Sequence, residues 1–199
     1  MKYFYSVSQD RAVETKIKRS RFIAHLRYVS TMPEAKEFIS EISAQHKTAN
    51  HNCWAYIVGE KGQTFHSSDD GEPSGTAGQP MLNALKKHDM INVAVVVTRY
   101  FGGVKLGIRG LIEAYGDSVE QAIEAEKLLK LVKKISYIIE TSYAFAEIFK
   151  YNAEKMQAEI TNSEYSDVIK VEFSIEEHLN EDLENYINEL SASKKIKVL

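Results

Sequence analysis

The spacing of hydrophobic positions changes several times along the chain, and each change predicts an element. Phe22, Ala24, Leu26 and Tyr28 alternate with Arg21, Ile23, His25 and Arg27, which is strand spacing. An earlier alternation, from Phe4 and Ser6 to Val13, Thr15 and Ile17, predicts a hairpin or two short strands turning near Asp10-Arg11. Ser30-Thr31-Met32-Pro33 marks a helix start, with Thr31 as cap and Pro33 in the first turn. Ala35, Phe38, Ile39 and Ile42 then share one face, and that helix should finish between His46 and Ala49. From His51 to Gly59 both alternating sets are apolar enough for burial. A turn at Gly59-Glu60-Lys61-Gly62 leads to a partner strand through Phe65. Met81, Leu82, Ala84 and Leu85 predict a short helix that Thr76 would cap. Val93 to Val97 is an unbroken apolar run, the signature of a buried strand. Beyond the glycines at 102, 103, 107 and 110, apolar residues from Leu111 to Ile123 recur at helical spacing.

Residues 127–134 are charged at both ends and suit a boundary. After them the pattern reads strand, helix, strand, strand, helix, strand: Ile135–Thr141, Tyr143–Met156, Ala158–Thr161, Val168–Ile175, a helix from Asn180 through Leu190, and Lys195–Leu199. The expected fold class is therefore α+β in two domains, residues 1–134 and 135–199, the second with ferredoxin-like βαββαβ order.

Charge separates the two. Up to residue 134 there are 19 basic and 15 acidic side chains, and 6 against 13 thereafter. An anionic partner would meet the first domain; the acidity of the second suits solubility. A single cysteine, Cys53, excludes an intrachain disulfide. No apolar run is long enough to span a membrane and no signal peptide is evident, so a cytoplasmic location is the expectation.

Candidate chemistry clusters in three stretches. In Thr98–Gly110 the cations Arg99, Lys105 and Arg109 gather with Tyr100 around Gly102-Gly103, at a strand-to-helix junction. An anion site and an ordinary tight turn are both open readings there. The basic run Lys16–Phe22, with Lys18, Arg19 and Arg21, fits nucleic-acid contact or a sheet edge kept soluble by charge. The polar loop Ser68–Pro80 carries Asp69, Asp70, Glu72, Ser74 and Thr76. Its carboxylates could hold Mg²⁺ or satisfy the N-terminus of the next helix internally. His46, His51, Cys53 and His66 match no compact zinc spacing, so no metal and no cofactor is expected. Gly102–Gly107 is neither a P-loop nor a dinucleotide fingerprint, and no nucleophile–base pair stands out.

Asn92–Gly107, NVAVVVTRYFGGVKLG, together with DDGEPSGTAG at 69–78 and HNCWA at 51–55, resembles the signature of the UPF0029/IMPACT family, in its bacterial, YigZ-like branch. The resemblance covers roughly Tyr3 to Ala125. It implies a first domain similar to domain 2 of ribosomal protein S5, and a C-terminal domain similar to elongation-factor modules. It also implies a role in translation through RNA, the ribosome or a translation-related protein, with no settled reaction. Carried onto this chain, it implies a shared surface made by Arg99, Tyr100, Gly102, Gly103 and Lys105 with Asp69, Asp70 and Glu72, to which the loop neighbours Ser74, Thr76 and His51 are added. An enzyme or sensor acting on a phosphorylated small molecule or nucleotide is the competing reading, and a protein–protein interaction module a third.

Overall fold

A computed structural model describes residues 3–199 as two compact units dividing between Leu131 and Val132. The first contains β1 (Phe4–Ser6), β2 (Arg11–Ile17), β3 (Ser20–Tyr28), α1 (Met32–Gln45), β4 (His51–Val58), β5 (Thr64–Ser68), α2 (Gly78–Lys87), β6 (Val93–Tyr100), α3 (Gly107–Glu124) and β7 (Leu129–Leu131). Its main sheet is antiparallel, in the order β2-β3-β6-β4-β5, with the apolar run of β6 at the centre.

Helices on both faces explain why β6 has no polar alternation. On one face, Phe22, Leu26, Val95 and Val97 pack with Met81 and Leu85 of α2 and Leu111, Tyr115 and Val119 of α3. On the other, Ala35, Phe38 and Ile42 of α1 meet Tyr56, Val58, Ala94 and Val96. Thr31 caps α1 as its sequence predicts: its hydroxyl accepts the Glu34 N–H at 3.4 Å, and the Glu34 carboxylate accepts from the Ser30 N–H at 2.7 Å.

Three local expectations change. β1 does not form a hairpin with β2; it pairs with β7, inside the stretch read as a domain boundary. Asp10-Arg11 is therefore no hairpin turn. Arg11 is buried, and its guanidinium donates to the carbonyls of Ala122, Ile123 and Lys127, where α3 ends. The tight turn lies instead at Lys18-Arg19, between the paired Ile17 and Ser20. Finally, α3 begins at Gly107, not Leu111, so Arg109 sits in its first turn.

The second unit contains β8 (Lys134–Thr141), α4 (Tyr143–Lys155), β9 (Glu159–Tyr165), β10 (Ile169–Glu176), α5 (Asn180–Ala192) and β11 (Ile196–Val198). Its sheet is antiparallel, ordered β11-β8-β10-β9. Ile139, Val171 and Phe173 of the sheet pack with Phe149 of α4 and Leu183 and Ile187 of α5. β9 extends through residues 162–165, beyond the strand expected over Ala158–Thr161, where the polar run 162–167 reads as a turn. Residues 162–165 pair with β10 on the sheet's open edge, where polar side chains face solvent at no cost.

Candidate nucleic-acid interface

The antiparallel register brings four connections to one end of the first sheet: the β2–β3 turn, the α1–β4 loop, the β5–α2 loop and the β6–α3 loop. Arg99 lies opposite Phe22 on one side and His51 on the other. The two-residue period of a strand then sends Arg99 and Tyr100 to opposite faces of the sheet. Arg99 turns to the α2/α3 face, where its guanidinium lies 5.4 Å from the Phe22 ring. Tyr100 turns to the α1 face, where the Arg21 guanidinium sits 4.5 Å from its ring and its hydroxyl is 2.9 Å from His46 Nδ1.

This geometry corrects the reading of Arg99 as an exposed anion-binding group. Arg99 is 5% exposed, and its Nη1 donates to Glu72 Oε1 at 2.6 Å. That oxygen also accepts from the Tyr115 hydroxyl at 2.8 Å and lies 3.9 Å from His51 Nε2. Both side chains of the Arg99–Glu72 pair are almost wholly buried. A second anion would have to displace a carboxylate that already neutralises the cation, at the penalty of leaving Glu72 charged and buried. Arg99 is thus a pin holding the β5–α2 loop to the sheet.

Asp69 and Asp70 are likewise engaged internally. Asp69 accepts the backbone N–H groups of Gly75, Ala77 and Gly78 at 2.8–2.9 Å, closing the loop and satisfying the start of α2. Burial pushes its carboxyl upward, but the three amides outweigh this and hold it below the usual aspartate value. Asp70 accepts from the Asn52 N–H at 2.6 Å, and its carbonyl lies 2.8 Å from His51 Nδ1. Thr76, expected as the α2 cap, is buried and donates its hydroxyl to the Pro73 carbonyl at 2.7 Å; Ala77 occupies the cap position. Ser74 is exposed. Of the two readings open for these acids, Mg²⁺ or internal satisfaction, the second describes their bonds to the backbone and to Arg99. Among the described residues, the group spaced to share a metal lies elsewhere: His88, Glu120 and Glu124, in which Glu120 already bonds His88 and Lys87.

Other predicted cations do reach solvent together. Lys18 and Arg19 are exposed at the tip of the β2–β3 turn, with left-handed φ values of 43° and 70°. The Arg19 backbone packs so closely on Gly102 that a Cβ there would overlap its carbonyl. Next along the chain, Gly103 has φ 81°, and Val104 and Lys105 are exposed. Arg109 follows, paired with Glu113 at 2.9 Å while 93% of its side chain remains exposed. Such a pair contributes little and is easily exchanged for another anion. Arg21 is half-buried and 3.7 Å from Glu14. The Gly102 contact thus joins the basic hairpin to the glycine turn, and Phe101, Val104 and Ile108 add exposed apolar surface beside them.

Sequence reasoning missed the residues that hold this end together. Tyr115 read as a core position of a helix face, yet its hydroxyl completes the Glu72 site. Ser20 is fully buried and its hydroxyl accepts from the Gly102 N–H at 3.3 Å. Asn50 accepts from the Phe101 N–H at 2.8 Å, and Asn52 from the Thr98 hydroxyl at 2.7 Å. Asparagines at the start of a strand are a loop-anchoring signal, weak on its own. Cys53 is fully buried, donates to the Asp69 carbonyl, and has its thiol pushed up to about 12 chiefly by burial.

The model of the Impact N-terminal domain matches residues 18–123. The chain is 40% identical over 193 residues to the IMPACT family member YvyE of Bacillus subtilis, covering 96% of this chain and 88% of that protein. It is 34% identical over 195 residues to an IMPACT family member of Haemophilus influenzae, covering 96% and 95%. A crystal structure of a hypothetical protein matches with a TM-score of 0.65 and 29% identity, covering 100% of this chain and 97% of that one. With the signature segments gathered at one end of its first sheet and the family model spanning more than half its length, this chain belongs to the IMPACT family.

Proposed function

We propose that the first unit binds RNA through the basic end of its sheet, as a non-enzymatic, ribosome-linked role in the regulation of translation. We also propose that this unit is S5 domain 2-like, that the second is a ferredoxin-like module, and that the chain lies in the family's bacterial, YigZ-like branch. The observation carrying the RNA reading is the Lys18-Arg19 turn. A two-residue hairpin with left-handed φ at both positions favours Asn-Gly, and an L-side chain there costs roughly 1–2 kcal/mol per residue. Two exposed cations occupy that strained turn, and it rests on Gly102 beside Lys105. Strain retained at an exposed position points to use. Lys18, Arg19, Lys105 and Arg109 would meet backbone phosphates, with Phe101 beside them to stack on a base.

The groups that could have served an enzyme are otherwise engaged. Cys53 is held as a thiol, His51 bonds the loop carbonyl, and Glu72 neutralises Arg99. Fluorescence anisotropy with a labelled single-stranded RNA across a salt series tests the reading. Four phosphate contacts give a slope of log K against log salt near −3, and Lys18→Ala/Arg19→Ala/Lys105→Ala lowers it by about 2. Absence of binding at low salt, or an unchanged slope in that variant, refutes it. Capture of a ribosomal protein in place of RNA by the same surface would favour the protein-interaction alternative.

A further inference from the structure

Within the second unit, Glu140, Thr141, Ser142, Phe145, Val168, Ser191, Ile196 and three lysines, Lys194, Lys195 and Lys197, line an open cavity of about 750 Å³. The unit carries eight lysines and thirteen carboxylates between residues 132 and 199. Three of those lysines line this one cavity, but only one of the carboxylates, Glu140, which is 3.3 Å from Lys197 Nζ. An acidic unit that concentrates its cations around its own cavity presents a local potential opposite to its net charge.

The fold explains the concentration. α5 ends at Ala192, and the chain turns through Ser193 and Lys194, whose φ is 55°, directly into edge strand β11. β11 pairs with the end of β8, Ile196 opposite Thr141. That pairing sets the lysines of the turn and strand beside the start of α4. Lys195 Nζ lies 5.6 Å from the Phe145 ring centroid, within cation–π range, and Phe145, Val168 and Ile196 supply the apolar part of the lining. At the same wall Ser142 occupies the cap position of α4 with extended φ and ψ, and its hydroxyl makes no capping bond. The first turn of α4 contains no acidic side chain.

We propose that this cavity binds a nucleoside phosphate. Its phosphate would sit between Lys194, Lys195 and the Ser142 hydroxyl, with its ring on Phe145 and Val168. The size lies within the ordinary range for small-molecule sites, and a mixed apolar floor with a few convergent polar groups is their usual composition. A bare phosphate would use the cations and leave the floor unoccupied. The site lies wholly in the second unit and shares no residue with the surface proposed for RNA.

Isothermal titration of the full chain with AMP, ADP, GDP and inorganic phosphate, at low and moderate salt, tests the proposal. The expected result is saturable binding of a nucleoside phosphate at least tenfold tighter than inorganic phosphate, weakening with salt. Ser142→Asp is the decisive variant. Aspartate is a good helix cap, so α4 should be as stable or more so, while a fixed carboxylate replaces the ligand's anion. Binding should fall at least tenfold with no loss of thermal stability, and Lys194→Gln/Lys195→Gln should fall similarly. The Lys18→Ala/Arg19→Ala/Lys105→Ala variant should bind unchanged, which separates this test from the RNA test. No saturable binding, equal affinity for inorganic phosphate, or indifference to both cavity variants overturns the proposal.

Discussion

Exchanging the turn residues for the pair that the turn geometry prefers, Lys18→Asn with Arg19→Gly, should stabilise the protein and weaken RNA binding together. Both native residues hold left-handed φ, 43° and 70°. Glycine at 19 escapes the roughly 1–2 kcal/mol cost of an L-side chain there, less about 0.5–1 kcal/mol of unfolded-chain entropy, and asparagine at 18, which adopts this region readily, escapes much of the same cost. A net gain of about 1–2 kcal/mol follows. For a unit of about 130 residues, an unfolding entropy near 2.1 cal/mol/K per residue converts each kcal/mol into about 4 °C. Calorimetry should show the first unit melting about 4–7 °C higher. Anisotropy on the same variant should show the salt slope reduced by about 1.4 for two lost phosphate contacts. A fall in melting temperature would refute the strain argument. A rise with RNA affinity unchanged would mean that the two cations are kept for some other reason.

Three further perturbations probe the supports of this surface. Arg99→Ala strands Glu72 as a buried charge and should cost about 3–5 kcal/mol in urea unfolding; a loss below about 1 kcal/mol would contradict the buried-pair geometry. Asp69→Ala leaves the Gly75, Ala77 and Gly78 amides without their acceptor, and should cost about 1–3 kcal/mol and speed hydrogen exchange at those amides. Because its folded carboxyl is held below the usual value, Asp69 contributes stability above the ordinary aspartate range, lost as pH falls below about 4. His25, lowered to about 4 by burial and then by His46, stays neutral in the folded protein while the unfolded chain binds a proton below about 6.5. Stability should therefore rise with pH between about 4 and 6.5. The upper bound is about 3 kcal/mol, which solvent screening reduces to roughly 1–2. His25→Phe should flatten that window, and an NMR titration placing the His25 value near 6.5 would defeat the claim.

The elements were legible where hydrophobic spacing was long and regular. Val93–Val97 announced the central strand, the 3–4 repeat from Leu111 announced α3, and Thr31 with Pro33 placed the start of α1 within a residue. What escaped was decided by partners remote in sequence. Three residues of β1 carry no signal that Leu129–Leu131 will complete them. Residues 162–165 are polar because they sit on an open edge, and polarity alone reads as a turn. The candidate site shows the same division. Its position at the β6–α3 junction and its loops were readable from glycines and charge. Which cations face water was not, because adjacent strand residues point oppositely and burial depends on what covers each face. Arg99 looked equivalent to Lys105 in a linear string; only the placement of Glu72 and Tyr115 beneath it separates a buried pin from an exposed cation.

That separation assigns different work to the two kinds of charged residue in the signature segments. Asp69, Asp70, Glu72 and Arg99 are consumed in bonds within the protein, each tying one loop to the sheet or to a helix start. These bonds supply the β5–α2 loop with partners from within the protein. The β6–α3 loop is fixed in turn by Asn50, by Ser20, and by the Arg19 backbone lying on Gly102. Lys18 and Arg19 are thereby carried on a turn whose backbone is seated against Gly102, and Lys105 follows three residues beyond that contact. Pre-ordered cations forfeit less entropy on meeting phosphates than cations on a mobile loop. Removing the pin should therefore weaken RNA binding even though Arg99 touches no phosphate. Its signature would be distinct: Arg99→Met with Glu72→Gln, which removes both buried charges together, should lower affinity while leaving the salt slope unchanged, because no phosphate contact is lost. A slope reduced by about one contact would instead place Arg99 at the phosphate and undo the distinction between residues that hold and residues that touch.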